Sequence, residues 1–333
     1  MDFEQILADL KNKIYKPIYL FYGEESFFID ELTNYIQQNV LTETEKAFNQ
    51  DVVYGKDVTA TNLIELSRAF PMMANYRVVI LKEAQDLKDF KNLEPYVQNP
   101  VNSTILVLSF KNTAKIDRRL KVFNLLSKNA VVFESKRLYE NQVYPWIEKT
   151  LRVNGLSIHT EALRLFYESI GADLSRLSNE IKKLVITQEK DKQISKEDIA
   201  FNIGINRDYN IFELQKAIGL KDKLKCYQIL DYFSKDPRAN PLFATVNRLF
   251  DYFTKIIKLH MLQDKSKQSV ANAVGVHPYF AEEYLIAMKN YPLSKLIYIV
   301  SYLREADMKL KGVGAVSISD ADLSKELLYK ILH

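Results

Sequence analysis

A single cysteine, Cys226, in 333 residues excludes an internal disulfide framework and cannot begin a zinc site. Glycine is scarce too, at 9 residues, well under the ordinary share of about 7%. So few glycines argue for many helices and few tight hairpins. No apolar run approaches the roughly 20 residues of a bilayer span; the best, such as 105–108, are strand length. Charge of one sign is lacking as well, because 46 Lys and Arg face 42 Asp and Glu for a net +4. That balance excludes a histone-like nucleic-acid binder and leaves only a local patch for any such contact. Residues 1–10 carry charges where a secretory leader has an apolar core, so the expectation is a cytoplasmic protein.

What the chain does have is length for two or three domains at roughly 150 residues each. Residues 1–140 alternate short apolar β-type runs (18–22, 51–54, 77–81, 105–110 and 130–133) with segments of helical period such as 26–40 and 60–69. That alternation predicts a parallel sheet covered by helices. From Asn141 the strand-like runs disappear, and 142–153, 160–170 and 174–186 carry a helical period, so 141–210 is expected to be a small helical domain. Past the polar stretch 206–210, residues 211–333 read as a third, all-helical domain broken at Pro237, Pro241, Pro278 and Pro292. This last segment holds the positive tilt, with 18 basic and 13 acidic residues.

A nucleotide-binding α/β domain needs a Gly-rich loop after its first strand and a lysine to balance phosphate. The corresponding residues, Gly23, Glu24, Glu25 and Ser26, offer one glycine, no lysine and two carboxylates that would repel a triphosphate. The strand 77–81 sits where a Walker B strand would, yet it is followed by Lys82-Glu83-Ala84 without an Asp to hold magnesium. His159, His260, His277 and His333 show no paired metal-ligand spacing, and a Gly-x-Ser-x-Gly elbow is absent. With no catalytic constellation, no metal and no cofactor expected, the sequence points to a binding or mechanical role.

Five segments then resemble one family, the delta subunit of the bacterial DNA polymerase III clamp loader. They are Pro17-Ile18-Tyr19-Leu20-Phe21-Tyr22-Gly23-Glu24-Glu25-Ser26-Phe27-Phe28, Ala114-Lys115-Ile116-Asp117-Arg118-Arg119, the run from Asp173 to Leu184, Asn210-Ile211-Phe212-Glu213-Leu214, and the run from Leu303 to Gly312. The resemblance spans essentially the whole chain. It implies an α/β plus α architecture: an AAA+ like parallel-sheet module without a working phosphate loop (1–140), a small helical lid domain (141–210) and an all-helical collar domain (211–333). It further implies a protein that binds the sliding clamp (beta subunit) and opens its ring for loading onto primed DNA, without hydrolysing ATP. Its other partners would be loader subunits, met through the collar, with no membrane involved. Polymerase activity would then belong to the complex. Two other readings stay open on the residues alone, a divergent P-loop ATPase and an inactive AAA+ like adaptor in another DNA-processing complex.

The family's clamp contact is a hydrophobic pair on the loop before the third strand, which here is Phe70-Pro71-Met72-Met73. Pro71 should end the preceding helix and leave the methionines on a turn. On the residues alone, a plug beneath the sheet is the favoured reading of Met72 and Met73; the resemblance reverses that in favour of a projecting contact, in which flexible, polarisable methionines adapt to a partner pocket. Many relatives carry Leu and Phe at this pair. Lys111, Lys115, Arg118 and Arg119, with Lys121, form a basic cluster after the fourth strand, read either as DNA-backbone contacts within the loader or as a solvated face. The helical segments 211–219, 242–262 and 293–309 offer amphipathic faces for assembly.

Overall fold

A computed structural model describes residues 1–111, 119–189, 191–204, 206, 209–313 and 318–333. The chain gathers into two compact units, Met1–Arg137 and Leu138–His333. In the first unit the order is α1 (Phe3–Lys11), β1 (Ile18–Gly23), α2 (Ser26–Asn39), α3 (Glu43–Asn49), β2 (Gln50–Tyr54), α4 (Ala60–Arg68), β3 (Arg77–Lys82), α5 (Glu94–Gln98), β4 (Thr104–Lys111), α6 (Lys121–Asn129) and β5 (Val131–Ser135). The five strands form one parallel sheet in the order β2-β3-β4-β1-β5, the doubly wound arrangement that the sequence predicts.

Strand period sorts the core into two layers. Ile18, Leu20, Val79, Leu81, Leu106 and Leu108 face α4, α5, α6 and the short 3-10 turns before α5, whereas Tyr19, Phe21, Val78, Ile80, Ile105 and Val107 face α1 and α2. Both faces are covered, so β1 and β4 read as continuous apolar runs instead of an alternation. Inside the second layer Thr33 and Ser109 satisfy each other by a hydroxyl hydrogen bond of 2.9 Å.

The second unit holds α7 (Glu140–Val153), β6 (Ser157–Ile158), α8 (Thr160–Ile170), α9 (Leu174–Thr187), β7 (Gln193–Ile194), α10 (Lys196–Ile203), α11 (Ile211–Leu220), α12 (Lys223–Lys235), α13 (Leu242–Met261), α14 (Lys267–Val274), α15 (Ala281–Asn290), α16 (Leu293–Leu310) and α17 (Asp320–Leu332). The described residues from 211 onward are helices and their connections. The expectation of strand-free sequence after Asn141 needs one correction, because β6 and β7 pair in parallel through Ser157, Ile158, Gln193 and Ile194. Strands this short have no period to detect. Among the described residues no helix is long and apolar enough to cross a membrane.

Buried charge ties α8 to α15. The Arg164 guanidinium meets Glu168 at 3.0 Å and Glu283 at 2.6 Å and lies 4.4 Å over the Phe280 ring. Against the desolvation of its burial, these carboxylates hold the guanidinium above its ordinary range. Lys216 of α11 reaches Glu283 at 3.5 Å, and Lys196 of α10 reaches Glu213 of α11 at 2.8 Å.

Gly23 tests the closeness of β1 and β5. Its φ is +148°, and a Cβ there would meet the Ser135 carbonyl oxygen at 1.9 Å, backbone that cannot step aside. Gly155 shares a positive φ, +76°, but has nothing within 4 Å. Gly23→Ala is expected to cost about 2–5 kcal/mol of unfolding free energy by steric overlap plus backbone strain, against about 1–2 kcal/mol for Gly155→Ala. Denaturant titration of the two variants checks the difference, and equal losses would contradict the close approach.

Candidate functional site

The turn in the phosphate-loop position is stitched shut. Glu24 and Glu25 alone separate β1 from α2. The Ser135 hydroxyl donates to the Glu25 carbonyl at 2.6 Å, and the Glu25 N–H donates back to the Ser135 carbonyl at 3.3 Å. The Glu25 carboxylate accepts the Phe27 N–H at 3.1 Å, which fills the anion-attracting start of α2 with the chain's own charge. Ser26 opens the helix directly, so the turn lacks the run of extra residues that would wrap a phosphate in backbone N–H groups.

The loop between α4 and β3 is built differently. α4 starts on a Thr59 and Asn62 capping box, and Asp89 accepts the Ala60 N–H at 3.0 Å. It stops at Arg68, where Ala69 turns extended at ψ 136°, two residues before Pro71, whose ring would break a continuing helix. Beyond it Phe70 is 82% exposed, Met72 61% and Met73 fully exposed. Met73 adopts a left-handed φ of +53°.

Beneath these side chains the backbone is fastened. Asn49, the last residue of α3 and fully buried, accepts the Met72 N–H at 2.6 Å and donates to the Met72 carbonyl at 2.9 Å and the Glu45 carbonyl at 3.0 Å. Arg77, the first residue of β3, donates from Nε to the Leu66 carbonyl at 2.9 Å and from Nη1 to the Phe48 carbonyl at 3.1 Å, and pairs through Nη2 with Asp51 at 2.5 Å. α3 is itself secured at its start, where Thr42 donates from its N–H and hydroxyl to Glu45 and holds that carboxyl below its ordinary range. Under α4, Tyr96 donates its hydroxyl to the Ser67 carbonyl at 3.3 Å, and burial lifts the phenol above its usual value.

The strands are all parallel, so the loop entering β3 lies at the N-terminal edge of the sheet, whereas the β1 to α2 turn lies at the C-terminal edge. Phe70, Pro71, Met72 and Met73 come together on one turn, with the methionines projecting and not plugging the core. Lys111 is engaged with Asp30 at 2.6 Å, Lys121 pairs with Glu94 at 3.2 Å, Arg119 is exposed, and Lys115 and Arg118 lie outside the described residues. Sequence reading missed Asn49 and Arg77; an Asn ending a short helix is common, and nothing local marks this one as buried. Among the described residues no group of three or more His, Cys, Asp or Glu is placed to hold a metal.

Comparison with known proteins bears on the family and the fold. The family model described as DNA polymerase III, delta subunit matches residues 19–136, and the model for the C-terminal domain of the same family matches 208–318. The DNA polymerase III subunit delta of Bacillus subtilis (strain 168) is 25% identical over 317 residues, covering 92% of this chain and 91% of that protein. A solved structure of the Bacillus subtilis DNA clamp loader delta protein superposes with a TM-score of 0.61 at 23% identity, covering 99% of each chain, and so shares the fold. The match at both the sheet module and the helical C-terminal region, in one order and along nearly the full length, makes this chain a member of the DNA polymerase III delta-subunit family.

Proposed function

We propose that the chain binds the sliding clamp through the loop 69–76 and opens one interface of the ring for loading onto primed DNA, without hydrolysing ATP itself. The observation that carries this reading is the exposed apolar set Phe70, Met72 and Met73 on a backbone fastened from below. The sealed turn at Gly23 to Ser26 supports a role that leaves nucleotide to partner subunits. Residues 141–210 would act as the lid and 211–333 as the collar, where exposed Ile297 and Tyr298 on α16 suit contact with other loader subunits.

A ligand shifts a conformational equilibrium only by its differential affinity for the two states. Taking a ring from about 1% to about 99% open requires on the order of 5.5 kcal/mol. Two methionines buried in a clamp pocket offer roughly 1.5–3 kcal/mol each, which is the required scale. The helix α4 beside the loop would stand where the clamp interface recloses. DNA phosphates would be met within the loader by Lys115, Arg118 and Arg119. Lys111, already engaged with Asp30, would serve chiefly to hold the end of β4 against α2.

Three measurements test this. Replacing Met72 and Met73 together by Ala, at matched folding stability, is expected to weaken clamp binding by about a hundredfold, roughly 2.7 kcal/mol; unchanged affinity would move the contact elsewhere, and no binding by the wild type would favour an adaptor role. A clamp locked shut by an interfacial disulfide should bind more weakly than a free one, and equal affinity would refute coupling between binding and opening. Arg118→Ala with Arg119→Ala should lower the salt slope of loader binding to primed DNA by about two, whereas an intact slope would leave these residues as solvated surface.

A further inference from the structure

We infer that Asn49 is the positioning residue of the clamp-contacting loop, holding the Met72 main chain so that Met73 projects from a fixed point. The inference rests on the clamp-binding reading of loop 69–76. The Asn49 carboxamide engages both the N–H and the carbonyl of one residue, Met72, at 2.6 and 2.9 Å, and spends its remaining donor on the Glu45 carbonyl at 3.0 Å. It thus closes a ring of hydrogen bonds between the end of α3 and the loop, 23 residues away in sequence. A fully buried amide satisfied in this way sits in one orientation.

The next residue shows what the hold achieves. Met73 is left-handed at φ +53°, a conformation an unbranched L residue keeps only when its surroundings impose it. Arg77 anchors the exit of the loop to Leu66 and Phe48, but Asn49 grips it at the methionines themselves. An apolar pair on a slack loop would be ordered at the moment of binding, and that cost would be subtracted from affinity; a loop ordered beforehand avoids it. Asn49 touches no partner in this account and acts through the main chain it holds.

The test compares four full-length chains: wild type, Asn49→Ala, the Met72→Ala and Met73→Ala pair, and the triple variant. In Asn49→Ala the Met72 amide should exchange with solvent deuterium at least about tenfold faster, while the Val79 and Leu106 amides of the sheet stay protected. Affinity for the sliding clamp should fall about tenfold, yet the same substitution should add nothing in the chain already lacking both methionines. A loss that persists in full in the triple variant, or a Met72 amide that exchanges at the wild-type rate, would overturn the inference. Asn49→Asp keeps the side-chain shape and the acceptor for the Met72 N–H but faces two carbonyls with a carboxylate. It should weaken clamp binding in the same direction if the alanine form folds poorly, and wild-type affinity in it would count against the inference. A wild-type chain that fails to bind the clamp would reject the clamp reading alone, because Met72 exchange would still decide whether Asn49 holds the loop.

Discussion

The first unit depends on a sheet with no solvent face. β1 is buried along its whole length and β4 along all but its last residue, so polar chemistry is forced to the two ends of the strands. Parallel strands sort those ends, with chain leaving at one edge and entering at the other. Ligands of open α/β sheets usually sit at the carboxyl edge. Here that edge is closed where it matters: Gly23 lies against the Ser135 carbonyl, Ser135 is bonded to Glu25, and Glu25 caps α2. The exposed apolar loop stands at the opposite edge, entering β3. A fold that usually seats its ligands on one edge therefore presents, in this chain, an exposed apolar surface on the other.

Much of this was legible in the sequence because it follows from local rules. Buried parallel strands must be continuous apolar runs, and each of the five appears within one or two residues of its expected span. Pro71 bars a helix from continuing into the loop, and Gly23-Glu24-Glu25-Ser26 lacks what phosphate needs, on charge alone. The residues that escaped are those whose meaning is set by distant partners. Asn49 is ordinary in sequence, and only its pairing with Met72 makes it a fastening. Lys111 reads as one more cation of a basic run until Asp30 is seen at 2.6 Å. The β6 and β7 pair is two residues on each side, below the length at which alternation means anything.

Within the second unit a similar non-local pairing decides the packing of α8. Arg164 sits among apolar neighbours of the helix, and a buried cation at that place is tolerable only because Glu168 one turn on and Glu283 from α15 both reach it. Removing either partner would strand charge in the interior, which costs several kcal/mol in comparable settings. Glu283 also receives Lys216, so the segments 141–210 and 211–333 share one charge network across α8, α11 and α15. Such a link favours one arrangement of these helices, since the donors and acceptors are satisfied only when all three are in place.

If the loop is the clamp contact proposed above, it and its anchor would divide two tasks that a ring-opening contact must combine. Side chains meeting a partner pocket benefit from softness, and methionine supplies it through unbranched, polarisable chains. The main chain beneath them benefits from stiffness, because a contact that can yield has little power to discriminate between a closed and an open partner. Differential affinity requires that the bound geometry fit one state better than the other, and a loop free to follow the partner would fit both equally. Asn49 and Arg77 take that freedom from the backbone at Met72 and at the start of β3, while Met72 and Met73 keep their side-chain freedom at the surface. The position of the methionines is then set by the sheet through β3 and by α3, so in the proposed contact strain would fall on the partner interface before it fell on this chain.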